Sequence, residues 1–241
     1  MEIRRFFVQP QDISDNTVTI LGDEFAHLSK VLRYKVGYKA VVCANDGVEH
    51  YCTVTDIGKD SATLRIDESR VADRKNVSVT LYAGLLKNNK LDFVIQKAVE
   101  LGIDRVVPFV SQNSAETKFA LDRANKIAKE AAKQCGSAYL TVIEPLCELK
   151  DVAEELKNYD TSVMAYEFET KTRIKDIAFS GKNIALIVGC EGGFQKHEAE
   201  MMREKGANIV TLGRRILRAE TAGIVVCALA LDALGELDHE G

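Results

Sequence analysis

The sequence predicts an α/β protein in two parts: a small curled β-domain over residues 1–74, then a mostly parallel sheet covered by helices over residues 75–241. Three observations carry this. Up to about residue 74 the chain alternates short β-rich runs with turns. Beyond it, apolar runs alternate with helical segments of ten or more residues, the pattern of strands joined by crossover helices. The chain is also 241 residues long and 46% hydrophobic, enough for a large core, and three prolines with 28% charged residues are not the composition of a disordered chain.

In the first part, "RRFFV" and "TVTIL" read as strands. "GDEFAHLSKVLR" reads as a short helix with Phe25, Leu28, Val31 and Leu32 on one side. Two β-rich runs, "KAVVC" and "VEHYCTVTDI", flank Asp46-Gly47, a strong hairpin signal. "SATLRID" supplies a further strand.

In the second part, "VSVTLYAG" is a strand and "KLDFVIQKAVELG" a helix, with Leu91, Val94, Ile95, Ala98 and Leu101 at helical spacing and Gly102 as its stop. "RVVPFV" is a strand and "LDRANKIAKEAAKQCG" a helix. "TVIEP", "TSVMAYE", "NIALIVG" and "ANIVTLG" are strands, with helices expected over "KDVAEELKNY" and "KHEAEMMREKG". "RAETAGIVVCALALDALGEL" is the last helix, too short and too interrupted by Asp232 for a membrane span.

Composition bounds the function. The N-terminal stretch has no signal-peptide layout, so a cytoplasmic protein with six reduced cysteines is expected. No CxxC pair suggests zinc, and no metal is expected. The net charge is −4, unevenly spread: residues 1–74 hold 10 basic and 12 acidic side chains, residues 75–136 hold 10 and 6, and residues 137–241 hold 12 and 18. Only the middle segment is positive, which leaves room for a modest RNA-contacting patch beside the simpler reading of a solvated helix face.

Phosphate loops, dinucleotide fingerprints, HExxH and GxSxG strings are absent. Cys190 with His197 seven residues on is a weak nucleophile pair, since free cysteine is more often a small buried hydrophobe. Two glycine-bearing strand ends remain: Val188-Gly189-Cys190-Glu191-Gly192-Gly193, and Leu212-Gly213 followed by a polar turn into the last helix. At the carboxyl end of a parallel sheet such turns let backbone approach a ligand. Two ordinary tight turns are the alternative, less apt because they fall on consecutive strand ends.

The chain resembles the bacterial 16S ribosomal RNA uridine-N3 methyltransferases, the RsmE family of SPOUT methyltransferases. The likeness runs through "RRFFV", "HLSKVLRYKVG", "LLKNNKLDFVIQKAVELGIDRVVPF", "EAAKQCG", "IVGCEGGF" and "LGRRILRAETA". It implies a PUA-like β-barrel over residues 1–74 and, over residues 75–241, a SPOUT domain whose C-terminal segment forms a deep trefoil knot, an exception to unknotted topology. It implies S-adenosylmethionine held by the strand end at Leu81 and Gly84, by Val188, Gly189, Glu191, Gly192 and Gly193, and by Leu212, Gly213, Ile216, Leu217 and Thr221. It implies a homodimer, and 16S rRNA of the small subunit as partner, with Arg4, Arg5, Arg33, Lys87, Lys90, Arg214 and Arg215 as RNA contacts.

The sequence departs from the family pattern at Cys190, where proline is usual, at Gln112-Asn113 in place of an acid–arginine pair, and at Ser137 in place of arginine. Methylation at N3 requires loss of the N3 proton. Arg218, at the start of the last helix, is the candidate to stabilise charge on the base, and Glu220 to orient that arginine or receive the proton. The same two residues as a purely structural pair remain an alternative. Two other functions stand beside the main one: a methyltransferase of this fold acting on another base, and an RNA-binding assembly protein without transfer activity.

Overall fold

The computed structural model describes residues 3–238. The chain divides into two compact units, one holding the chain up to Arg74 together with Ala132–Leu140, the other holding Lys75–Ala131 and the chain from Thr141 on.

The first unit is built on β1 (Arg4–Phe7), β2 (Ile13–Ser14), β3 (Thr17–Leu21), β4 (Lys39–Cys43), β5 (Val48–Ile57) and β6 (Ser61–Val71). They form one six-stranded sheet in the order β1-β4-β5-β6-β3-β2, antiparallel except for the β1–β4 pair. Register shifts at Tyr51/Cys52 and Val54/Asp56 in the long β5–β6 pair mark bulges, which sharpen twist and curl a sheet. Asp46-Gly47 forms the β4–β5 turn, with Gly47 at φ 81° and Asp46 accepting the Val48 N–H at 3.0 Å. Phe6, Val18, Ile20, Leu28, Val42 and Leu64 fill the core beneath.

Helix α1 (Gly22–Ala26) runs on as a single wider π turn, His27–Val31. Phe25 and Leu28 are buried as expected, but Val31 is 70% exposed. The π turn adds backbone per turn and rotates Val31 off the face that a regular helix would have given it.

Residues Ala132–Leu140 belong to this unit although they lie far along the chain. Lys133 meets Glu24 at 2.8 Å, and Asn45 accepts the Leu140 N–H at 2.7 Å. No local pattern announces either pairing.

The second unit contains β7 (Ser78–Gly84), α2 (Lys90–Glu100), β8 (Arg105–Val110), the start of α3 (Leu121–Cys135), β9 (Val142–Ile143), β10 (Cys147–Glu148), α4 (Leu149–Glu155), β11 (Thr161–Ala165), β12 (Asn183–Val188), α5 (Lys196–Glu204), β13 (Asn208–Val210) and α6 (Ala219–Ala233). The sheet order is β10-β8-β7-β12-β11-β13 with β9 on β8, and every pairing is parallel. In β7 and β12 every residue after the first is buried, as expected of strands covered on both faces. Helix α6 packs on α2, and a Cβ at Gly223 would stand 3.2 Å from Val94, so the glycine permits the close approach. Because β7 pairs with β12, and β12 with β11, strand ends distant in sequence lie side by side.

Candidate functional site

The carboxyl ends of β11, β12 and β13 open into one cavity of about 390 Å³ within the second unit. Its walls are three loops: Ala165–Glu167, Val188–Phe194 and Thr211–Leu217, closed by the start of α6 and by Lys90 at the start of α2. This is where open parallel sheets bind ligands, because the terminal backbone groups have no further strand to pair with.

The Val188–Gly193 loop is held from several sides. Gly193 donates its N–H to the Cys190 carbonyl at 3.0 Å, closing a tight turn, and Gly193 itself takes φ 62°. Gly84, at the end of β7, touches the loop backbone so closely that a Cβ there would fall 2.6 Å from the Gly189 carbonyl carbon. A Cβ at Gly189 would press on the Phe194 ring at 2.9 Å. Asn113 Nδ2 donates to the carbonyl oxygens of Gly192 (2.8 Å) and Gly193 (3.3 Å), and Gln195 Nε2 donates to Asn113 Oδ1 at 2.8 Å. The turn carrying Asn113 is anchored by buried Glu198, which accepts the Gln112 N–H at 2.9 Å and the Gln195 N–H at 2.8 Å. Cys190 is buried, its Sγ 3.9 Å from Ser111 Oγ.

Glu191 points from the loop toward α2. It accepts the Lys87 N–H at 3.1 Å and a bond from Lys90 Nζ at 3.2 Å. Partial burial works to raise its pKa, but its own and the Lys87 backbone N–H groups, with the Lys90 ammonium, outweigh that and hold it below the ordinary carboxylate value. Lys90 Nζ also lies 3.8 Å from Glu220 Oε2. That oxygen is buried and has no hydrogen-bond partner among the described residues.

Of the residues expected at a cofactor site, Val188, Gly189, Glu191, Gly193, Leu212, Gly213, Ile216 and Leu217 line the cavity. Gly84 acts one layer behind, by letting the loop approach. Leu81 does not reach the cavity: it is fully buried mid-strand, where a side chain packs against a covering layer. Gly192 faces Asn113, and Thr221 is exposed on α6 away from the cavity lining. Arg218 and Glu220 both line the cavity, Arg218 at the N-cap position of α6, but the Glu220 carboxylate has Lys90 and not Arg218 within ionic distance among the described residues.

The expected RNA contacts separate by environment. Arg4, Arg33, Lys87, Arg214 and Arg215 are exposed. Arg5 is not available: its guanidinium donates to Glu49 at 2.6 Å and to Cys43 Sγ at 2.9 Å, and only 11% of the side chain is exposed. In β1, neighbouring residues face opposite sides, which turns Arg5 into the β4–β5 surface. Lys90 faces two carboxylates inside the cavity. Glu167 and Tyr166 were not legible as site residues, because they arrive from a loop whose place depends on the sheet order; Asn113 stood out only as a departure from the family pattern, and Phe194 only as the end of the glycine-loop string. Among the described residues no cluster of His, Cys, Asp or Glu is placed to hold a metal ion, and no helix is long and apolar enough to cross a membrane.

Residues 73–231 match the family described as "RNA methyltransferase domain", and residues 20–67 match "RNA methyltransferase PUA domain". The chain is 30% identical over 238 residues to ribosomal RNA small subunit methyltransferase E of Bacillus subtilis (strain 168), covering 91% of this chain and 93% of that protein. It is 27% identical over 231 residues to the protein of the same name from Rickettsia conorii, covering 95% of each. Among solved structures, a ribosomal RNA small subunit methyltransferase E from Neisseria gonorrhoeae bound to S-adenosyl methionine is similar with a TM-score of 0.85 and 26% identity, over 97% of this chain and 98% of that one.

Proposed function

The chain belongs to the RNA methyltransferase family that includes the ribosomal RNA small subunit methyltransferases E, and we propose that it methylates N3 of one uridine of 16S rRNA in the small ribosomal subunit, with S-adenosylmethionine as methyl donor. The observation that carries this reading is the cavity at the strand ends, walled by the two glycine-bearing loops and presenting Arg218 and Glu220 together.

The residues fit the cofactor. The Val188–Gly193 and Leu212–Leu217 loops offer backbone N–H and C=O groups to an adenosine; Gly213 leaves its edge open, and Gly189 and Gly193 let their loop lie close to Phe194 and Glu167. Carboxylates from Glu167, Glu191 and Glu220 suit a molecule that carries a sulfonium and an ammonium. S-adenosylmethionine supplies an electrophilic methyl group. The chain's own residues do the rest. Glu220 accepts the N3 proton, and Arg218 stabilises the negative charge that spreads to the uracil oxygens as N3 becomes nucleophilic. The cavity excludes water and holds a base drawn out of the RNA, so reacting atoms meet in a fixed geometry.

The finer features belong to the same reading. The C-terminal segment threads a loop of the second unit as a deep trefoil knot, with boundaries at 1–74 for a PUA-like RNA-binding barrel and 75–241 for the methyltransferase domain. Arg4, Arg33, Lys87, Arg214 and Arg215 contact phosphates. The protein acts in the cytoplasm as a homodimer. Helix α6 supports the dimer, because it is apolar nearly all round and leaves Leu229 exposed, as Phe93 is on α2.

Single-turnover methylation of small subunits lacking the modification, read by mass mapping of the rRNA, tests the reading. Methyl incorporation at one uridine N3 is expected, and at saturating cofactor and RNA Arg218→Ala should lower the rate by roughly a hundredfold or more while cofactor affinity changes little. Incorporation elsewhere, or none, overturns the substrate assignment. An unchanged rate in Arg218→Ala removes its catalytic role. Light scattering should report twice the chain mass, and a monomer at micromolar concentration removes the dimer.

A further inference from the structure

Lys90 has the sequence setting of an RNA contact: a basic turn before a helix. Its surroundings are different. The ammonium lies 3.2 Å from Glu191 Oε1 on the cofactor loop and 3.8 Å from Glu220 Oε2 on α6. Two carboxylates already surround the one cation, which leaves no surplus positive charge for a phosphate.

The backbone is shaped to bring it there. Asn88 and Asn89 both take left-handed conformations, φ 54° and 58°, immediately before Lys90 opens α2. Two successive non-glycine residues in this region are strained, and such strain persists where surrounding contacts over-determine it, often at functional sites. One of those contacts is visible: Glu191 accepts the Lys87 N–H.

The two carboxylates are held differently. Glu191 takes a hydrogen bond from Lys90, whereas Glu220 Oε2 lies only within ionic distance and has no hydrogen-bond partner among the described residues. The Glu220 side chain is 16% exposed and lines the cavity. The lysine thus steers this carboxylate by charge at its buried Oε2, without tying that oxygen in a hydrogen bond. Other charged groups facing the cavity are Glu167, Arg214, Arg215 and Arg218.

We propose that Lys90 is a positioning residue for methyl transfer, fixing the Glu220 carboxylate against the cofactor loop by bridging it to Glu191, and not an RNA phosphate contact. The inference rests on the methyltransferase reading, with Glu220 as proton acceptor. It accounts for a cation inside a cavity that must receive a cationic cofactor: Lys90 is spent on Glu191 and Glu220.

The test uses the full chain with Lys90→Met, Lys90→Gln, Lys90→Arg, Glu220→Gln and the Lys90→Met/Glu220→Gln double variant, each checked for folding by circular dichroism. Three quantities are read: the single-turnover rate on unmodified small subunits, S-adenosylhomocysteine affinity by calorimetry, and subunit affinity against salt. Neutralising Lys90 should slow the rate by roughly a hundredfold, the scale of a small misplacement of a catalytic group. S-adenosylhomocysteine affinity should change less than about threefold, well under one tenfold step of 1.4 kcal/mol, and the salt slope should match the unaltered protein. Lys90→Arg should restore most of the rate. In the Glu220→Gln background, Lys90→Met should cost little more, since both changes disable one group. A normal rate with weaker subunit binding and a shallower salt slope makes Lys90 a phosphate contact and overturns the inference. Additive rate losses, or no rescue by arginine, also overturn it. If the unaltered protein binds S-adenosylhomocysteine but does not methylate subunits, the functional reading fails instead.

Discussion

Asn113 donates its side-chain amide to the Gly192 carbonyl at 2.8 Å, and this bond clamps the glycine loop at the mouth of the cavity. The clamp has a foundation, because Glu198 on α5 fixes the turn that carries Asn113. The loop, which carries Cys190 and no proline, is thus fixed from outside. Asn113→Ala is expected to weaken S-adenosylmethionine binding by about fivefold, the scale of one net hydrogen bond near 1 kcal/mol. Asn113→Asp should weaken it more, since a carboxylate would face two carbonyl oxygens. Calorimetry decides this, and unchanged affinity in both variants would show that the loop holds its shape unaided.

Gly84 and Gly189 meet backbone to backbone. A methyl group at position 84 would sit 2.6 Å from the Gly189 carbonyl carbon, and neither chain segment can swing aside as a side-chain tip could. Gly84→Ala should therefore destabilise the protein by about 1–3 kcal/mol through overpacking and displace the cofactor loop. Gly192→Val acts by a different route, since a Cβ there meets Asn113 Cβ at 2.7 Å rather than filling the cavity. Urea unfolding with calorimetry on each variant should show lost stability and lost affinity together for Gly84→Ala.

Behind the sheet, Glu155 accepts the Tyr82 hydroxyl at 2.5 Å and Arg105 Nη1 at 3.0 Å. Partial burial works to raise its pKa, but these hydrogen bonds and the guanidinium charge outweigh it, so the folded value lies below the ordinary one. A depressed carboxylate contributes stability that is fully present above the unfolded value of about 4.3 and is lost as pH falls through the folded value. Glu155→Gln should lower the melting temperature near neutral pH by about 2–4 °C, kept small by solvent screening at a half-exposed group. The gap should narrow as pH falls below about 4. A gap that stays constant from pH 7 to pH 3 would separate Glu155 from this linkage.

Lys133 and Glu24 form an ion pair with side chains only 8% and 9% exposed. Removing one partner takes a close ionic contact from a charge held largely out of water. Lys133→Met is expected to destabilise the protein by about 1–3 kcal/mol, and the Lys133→Met/Glu24→Leu double variant by clearly less. Chemical denaturation of both variants checks this. Equal losses would mean that the pair does not act as a pair.

Much of the fold was written locally. The apolar runs of β7 and β12 require cover on both faces, and the helices between strands supply it; Asp46-Gly47 dictates its hairpin; the glycines around Cys190 and at 213 mark the two turns that wall the cavity. These are consequences of side-chain burial and of backbone torsion, both of which act within a few residues. The site's polar contacts were not local. Lys87 and Lys90 are 104 and 101 positions from the Glu191 they bind, and Asn113 is 79 from the carbonyl it clamps. Arg5, Lys90 and Arg33 are alike as basic residues in a string; only their neighbours in space make the first a strand-surface ion pair, the second a cavity cation and the third a solvent-facing charge. The sequence by itself therefore determined the elements, their order and the glycine turns. Which charge meets which was decided by strand order, β1-β4-β5 for Arg5 and the parallel β8-β7-β12-β11-β13 for the site, because that order sets distant residues a few ångströms apart, and Coulomb and hydrogen-bond energies depend on that distance and not on separation along the chain.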